Sequence, residues 1–171
     1  MRVWTIGHST HPLERLADLL REHGVEQVAD IRTVPRSRRH PHFHADALAR
    51  ALPEHGIAYV HLAALGGWRR PLPDSPNGGW RNASFRGYAD YALSADFAAG
   101  LVRLRELAAA RPTAMMCSEG LWWRCHRRLV ADRLLLAGDD VHHIGPDGRA
   151  AAHRLSPFAE VVGGRLVYPE E

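Results

Sequence analysis

Short apolar runs alternate with stretches in which apolar residues recur every three or four positions, and this alternation organises most of the chain. Val3-Trp4-Thr5-Ile6 is a β-prone run that stops at Gly7-His8-Ser9-Thr10. Leu13, Leu16, Leu19 and Leu20 then share a helical face, with Ser9 or Thr10 as the expected N-cap and Gly24 as the stop. The unit repeats: Gln27 to Ile31 predicts a strand, Ala45 to His55 a helix in spite of Pro53, and Ile57 to Leu62 a third strand. Ala63 to Phe85 holds Gly66-Gly67-Trp68, Pro71, Pro73 and Pro76-Asn77-Gly78-Gly79-Trp80, too much punctuation for one regular element. A loop of that length in a compact domain is usually functional, and its tryptophans argue for order. Tyr88, Tyr91, Leu93, Phe97, Leu101, Leu104 and Leu107 predict helix to Ala110. Thr113 to Met116 predicts a fourth strand ending at Cys117, Trp122 or Trp123 through Leu136 a further helix stopped by Gly138, and Val141 to Ile144 a fifth strand.

Strands alternating with helices imply an α/β three-layer sandwich, with a mostly parallel central sheet of about five strands and helices on both faces. The chain of 171 residues suits one domain over 1–171. The tail 145–171 is less regular, with a short helix expected near Pro157 to Val161 and a short strand at Arg165 to Tyr168.

Composition narrows the chemistry. Apolar residues make up 46% and charged residues 24%, a globular mixture. No window is apolar enough for a membrane span, and the N-terminus runs into a strand pattern instead of a signal peptide, so a cytoplasmic protein without membrane contact is expected. The net charge is +3, which invites an anionic partner. All 22 basic residues are arginine, which excludes a Schiff-base lysine, a P-loop lysine or a lysine general base. The abundance of arginine and alanine also fits a compositional bias.

In open α/β sheets, ligands bind outside the carboxyl ends of the strands. Those exits carry Gly7-His8-Ser9; Asp30-Ile31-Arg32 with Pro35 and Ser37; His61 with Leu65-Gly66-Gly67; Cys117-Ser118-Glu119; and His142-His143, and are expected to face one crevice. The richest segment runs from Cys117 to Arg127. A cysteine at a strand end, facing a helix N-terminus with Arg124, His126 and Arg127 in its first turns, is where a thiolate is stabilised. A phosphatase loop is rejected, since it needs arginine where Trp123 stands.

Plainer readings stand beside these. Cys117 and Cys125 also suit core packing, Asp30 and Arg32 a structural ion pair, Ser9 a helix cap, and Gly66-Gly67 a plain turn. The run Arg36 to His44 reads as an anion-facing loop or a solvated one, and Trp68, Trp80, Trp122 and Trp123 as stacking platforms or loop anchors.

Thr5-Ile6-Gly7-His8-Ser9, Asp30-Ile31-Arg32 with Pro35 and Ser37, Ile57, Tyr59 and His61 before Leu65-Gly66-Gly67, Tyr88, Phe97, and Cys117, Glu119 and Cys125-His126-Arg127 occur in the order of a known pattern. From Val3 to Ile144 the chain resembles the uncharacterised "domain of unknown function 488" family. The resemblance implies an α/β fold and a shared polar cluster, and supplies no reaction or cofactor. The family pattern carries a proline where Trp122 stands, a departure in the loop that aims Glu119.

The expected function is a small enzyme acting on an anionic or nucleotide-like compound. Cys117 would be the nucleophile, His126 the acid/base and Glu119 its orienting group. Ligand contacts are assigned to His8, Ser9, Asp30, Arg32, Ser37, His61, Gly66, Gly67, Tyr88, Arg124, Cys125 and Arg127. A non-catalytic nucleotide or nucleic-acid binding module is one alternative. A metal site built on Cys117, Cys125 and His126 is another, although adjacent Cys125 and His126 are awkward joint ligands. No metal ligand set is assigned; cofactor, substrate and oligomeric state stay open.

Overall fold

A computed structural model describes residues 1–171. Five parallel strands, β1 (Arg2–Gly7), β2 (Gln27–Asp30), β3 (Ala58–His61), β4 (Thr113–Cys117) and β5 (Asp140–Ile144), stand in the order β3-β2-β4-β1-β5. The expected sheet is therefore present, with one addition: β6 (Ala150–Ala152) pairs antiparallel to β5 and makes a sixth strand.

Four central strands run with little polar interruption because both sheet faces are covered. On one face, α1 (Leu13–Glu22) and α2 (Ala45–Glu54) bury Leu16, Leu20, Leu48 and Leu52 against Ile6, Val28 and Met116. On the other, α3 (Ala83–Tyr91), α4 (Ala95–Ala110) and α5 (Arg127–Leu136) bury Tyr88, Phe97, Leu104 and Leu129 against Val3, Ala29 and Met115. Alternate residues of one strand thus feed two separate cores.

The order of the strands positions the site. After β1 the chain crosses by α1 toward β2 and β3; after β4 it crosses by α5 on the opposite face to β5. Adjacent β1 and β4 therefore send their exits to opposite faces, and a crevice opens between them. His8 N donates to Cys117 O at 2.9 Å and Ser9 N to Ser118 O at 3.0 Å, which carries the ladder beyond the strands and holds the crevice floor.

Several expectations need correction. Ser9 and Thr10 do not cap α1: Pro12 occupies that position, and Ser9 sits at φ 47°. The helix expected from Tyr88 to Ala110 is two helices, because Ser94 accepts from Phe97 N and starts α4 afresh. Its predecessor begins at Ala83, where Asn82 accepts from Ser84 N and Phe85 N. Trp122–Arg124 form a separate 3-10 turn, Cys125 is extended, and α5 begins only at Arg127. The helix expected near Pro157 is replaced by β7 (Glu160–Val162), hairpinned to β8 (Arg165–Val167) across Gly163-Gly164. Those two glycines, both at positive φ, supply the turn.

Candidate functional site

The exits of β2 and β4, the Gly67-Trp68 loop and the start of α3 enclose a cavity of about 360 Å3. Cys117, Cys125, His126 and Tyr88 line it, with Arg36 and Arg124 toward the outside. Cys125 reaches the same place as Cys117 because the 3-10 turn and the extended Cys125 return the chain over the end of β4.

Beneath the thiols lies Arg127, with no exposed surface. Its Nη2 donates to the Glu119 carbonyl, its Nη1 to Thr5 Oγ1 at 3.3 Å, and its backbone N–H to Cys125 Sγ at 3.4 Å. Nε has no partner, and the guanidinium makes no salt bridge to a carboxylate. A buried guanidinium needs nearby negative charge, and the groups in position to supply it are the two thiols.

Within this pair the negative charge settles on Cys125. Burial works against its thiolate, yet the hydrogen bond with Cys117 and the charges of His126 and Arg127 hold its pKa well below the ordinary thiol range. Burial pushes the Cys117 thiol up, and the hydrogen bond with Cys125 and the charge there push it further. The Cys117 Sγ also lies 3.8 Å from the Glu119 carbonyl. His126 answers the thiolate: burial disfavours its cation, but the adjacent Cys125 charge and hydrogen bond raise its pKa overall. Its Nδ1 faces Cys125 Sγ at 3.5 Å and its Nε2 donates to Ile31 O at 3.0 Å. An edge-on contact with Tyr88 and the close approach of Gly67 fix the ring.

The backbone of Glu119 is at the centre of this arrangement, while its carboxylate is not. The exposed side chain accepts from Leu121 N at 3.2 Å. Both His126 nitrogens are engaged elsewhere, so Glu119 does not orient His126.

Asp30 and Arg32 form a buried bidentate ion pair, with Nη2–Oδ2 at 2.6 Å and Nε–Oδ1 at 2.9 Å. Tyr59 OH also donates to Asp30, and Arg32 Nη2 to Phe43 O. Arg32 touches the cavity, but its donors are largely committed, which makes the pair a structural clamp. Its Nη1 donates to His8 Nε2 at 3.3 Å, which makes Nδ1 of that ring the donor to Ser9 O. Burial, with the Arg32 charge, lowers the His8 pKa to about 4, although the bond to Ser9 opposes the shift.

A second cavity of about 390 Å3 adjoins the first across Ser118 and Glu119, and takes in His8, Ser9, Ser37, Arg38, Arg39 and His40. Ser37 Oγ accepts from His40 N, and Nε2 of His42 and of His44 bond the carbonyls of His11 and Ser37, so these histidines brace the loop.

The remaining expected positions divide. Gly67 and Tyr88 line the first cavity; the Tyr88 hydroxyl donates to Leu65 O. Gly66 is needed for packing, because a Cβ there would stand 2.6 Å from Thr33 Oγ1. His61 lies outside both cavities, its Nε2 on Arg32 O. The β5 exit also misses the crevice: His142 pairs with Asp140 on the surface, and His143 is buried beneath Trp122, stacked at 4.1 Å.

His143 belongs to a network that sequence reading missed. Its Nδ1 faces Thr5 Oγ1 at 2.7 Å and its Nε2 faces His153 Nδ1 at 2.9 Å. His153 Nε2 meets Asp132 at 2.7 Å, and Asp132 also accepts from Ser156 and from Tyr168 OH. Thr33 and Phe85 are further cavity residues to which sequence reading assigned no role, and Arg36, from the run read as an anion-facing or solvated loop, lines the cavity with them. No three His, Cys, Asp or Glu side chains converge as a metal-binding group.

The family model described as "Domain of unknown function DUF488" matches residues 12–134, well over half of the chain. The chain belongs to the DUF488 family. The match includes the β2 and β4 exits and the whole Cys117–Arg127 segment, but excludes β1 and β5, which the resemblance over 3–144 took in. No curated protein and no solved structure matches this DUF488 chain. None of its helices is long and apolar enough to cross a membrane.

Proposed function

We propose that this DUF488 protein is a cysteine-dependent enzyme acting on a small anionic or nucleotide-like compound, with Cys125 as the nucleophile and His126 as its acid/base. The observation that carries this reading is the Cys125–His126 contact of 3.5 Å over buried Arg127, at the wall of a cavity large enough for a planar ring. A thiolate in such surroundings is a nucleophile at neutral pH. Its sulfur would form a bond to an electrophilic carbon of the substrate. The leaving group would depart with its electron pair and take the proton from His126 Nδ1. Cys117 would act as the donor that stabilises the thiolate, a change from the nucleophilic role expected on sequence.

The test is iodoacetamide alkylation followed by peptide mapping as a function of pH. Cys125 is expected to react well below the reference thiol pKa of about 8.5, with Cys117 slow throughout. Inert behaviour of both thiols in the native protein, or a faster Cys117, would sink the assignment.

A further inference from the structure

Trp68 is 86% exposed and lies at the mouth of the first cavity, with its backbone at φ 61°. A left-handed backbone is disfavoured for a tryptophan, so the loop holds this residue against its own preference. The loop is anchored immediately before it, where Gly67 O accepts from Thr33 Oγ1 at 2.8 Å. Trp123, on the turn that leads into the thiol segment, is 48% exposed.

Arginines accompany these rings. Arg36 and Arg124 line the first cavity, Arg38 and Arg39 the second, and none of the four side chains makes a hydrogen bond or ion pair within the protein. The carboxylate facing the two cavities is that of Glu119 alone. The cavities share Ser118 and Glu119, so the basic rim is continuous over both.

We propose that this rim binds single-stranded nucleic acid, with a base stacked on Trp68 at the cavity mouth and phosphates along Arg36, Arg38, Arg39 and Arg124. Free guanidinium groups match phosphate geometry. An upright aromatic ring offers a platform to an unstacked base, which a duplex keeps inside its own stack. The proposal deepens the enzyme reading by making the substrate of the thiol site a nucleotide within a strand, and it rests on that reading for the chemistry alone.

Binding of a labelled single-stranded oligonucleotide to the Cys125→Ser protein, followed by fluorescence anisotropy, tests the rim separately from the chemistry. The logarithm of affinity is expected to fall with the logarithm of salt concentration with a slope of about −3, since four arginines each neutralise a phosphate at about 0.7 per contact. Arg38→Gln with Arg39→Gln halves that slope, and Trp68→Ala weakens binding roughly tenfold. In the parent protein, bound oligonucleotide slows alkylation of Cys125. A flat salt response, equal affinity for a free mononucleotide, or polyphosphate competing as well as the oligonucleotide with no effect of Trp68→Ala would each overturn the proposal. So would tight binding that leaves the alkylation rate untouched. The thiol reading fails separately, on the pH profile of Cys125 in the free protein.

Discussion

The guanidinium of Arg127 and the carboxylate of Asp132, both buried on α5, are joined through Thr5, His143 and His153 by an unbroken run of hydrogen bonds. Arginine can only donate and an ionised carboxylate can only accept, so every proton between them points the same way. Thr5 donates to His143 Nδ1, His143 Nε2–H to His153 Nδ1, and His153 Nε2–H to Asp132. Burial opposes the ionised form of Asp132, but the bonds from His153, Ser156 and Tyr168 lower its pKa and keep it charged. Removing a central hydroxyl should therefore disturb both directions at once. Thr5→Val, which keeps the shape, is expected to cost on the order of 1–3 kcal/mol in urea denaturation, and Thr5→Ser much less. Equal stability of Thr5→Val and the parent would refute a linked network.

Arg127 supplies the buried positive charge next to the thiols. In Arg127→Met the Cys125 thiolate loses both that charge and the geometry of the Glu119 carbonyl, so the alkylation midpoint of Cys125 should rise by at least about one pH unit toward the reference thiol value. A variant that is folded by circular dichroism yet keeps the parent midpoint would show that Arg127 is not the stabilising cation.

Acid stability should be set partly by two histidines held neutral. Burial lowers His143 to about 2, with the charge of Arg127 adding to it, and burial with the Arg32 charge lowers His8 to about 4. Each titrates near 6.5 in the unfolded chain. Below that pH the unfolded state gains protons that the native state refuses, so stability is present above about pH 6.5 and is lost as pH falls through the native pKa values. For His8 the loss approaches roughly 3 kcal/mol by about pH 4. His8→Gln should flatten the decline between those pH values; a decline identical to the parent's would exclude His8 as a contributor.

Gly7 ends β1 directly under the Glu119 carbonyl, and a Cβ there would lie 1.8 Å from that oxygen. Gly7→Ala must move the 117–120 loop, and with it the acceptor shared by Arg127 and Cys117. A loss of several kcal/mol is expected, together with loss of the fast Cys125 reaction. Gly67→Ala is the milder comparison, because its Cβ would stand 3.2 Å from His126 Nδ1; there the shift should appear in the alkylation profile more than in stability.

The parts of this arrangement that could be read from sequence are local ones. Buried parallel strands print as short apolar runs, and their polar exits follow directly, which is why His8, Arg32 and Cys117 could be assigned to one end of the sheet. Which of the thiols carries charge depends on the extended backbone at Cys125 and on the side of α5 that Arg127 faces, and neither has a local signature. Glu119 looked like an orienting acid because residue type was visible, whereas its contribution is a carbonyl, which every residue possesses. His153 and Asp132 stand 21 positions apart and meet only because β6 folds back along β5. The break before α4 was legible in principle, as Ser94 followed by Ala95-Asp96 is a helix start, but continuous apolar spacing from Tyr88 to Leu107 masked it.

The tail has a bearing on how the boundaries of such proteins should be drawn. Asp132 lies inside the segment that matches the family, yet the four groups that neutralise its burial, on His153, Ser156 and Tyr168, all lie beyond residue 134. A shortened protein cut at the end of the match would leave Asp132 without these four donors. The segment recognised by the family model thus ends short of the residues that partner Asp132. A family member that stops earlier would have to replace the aspartate or borrow its donors from a neighbouring molecule.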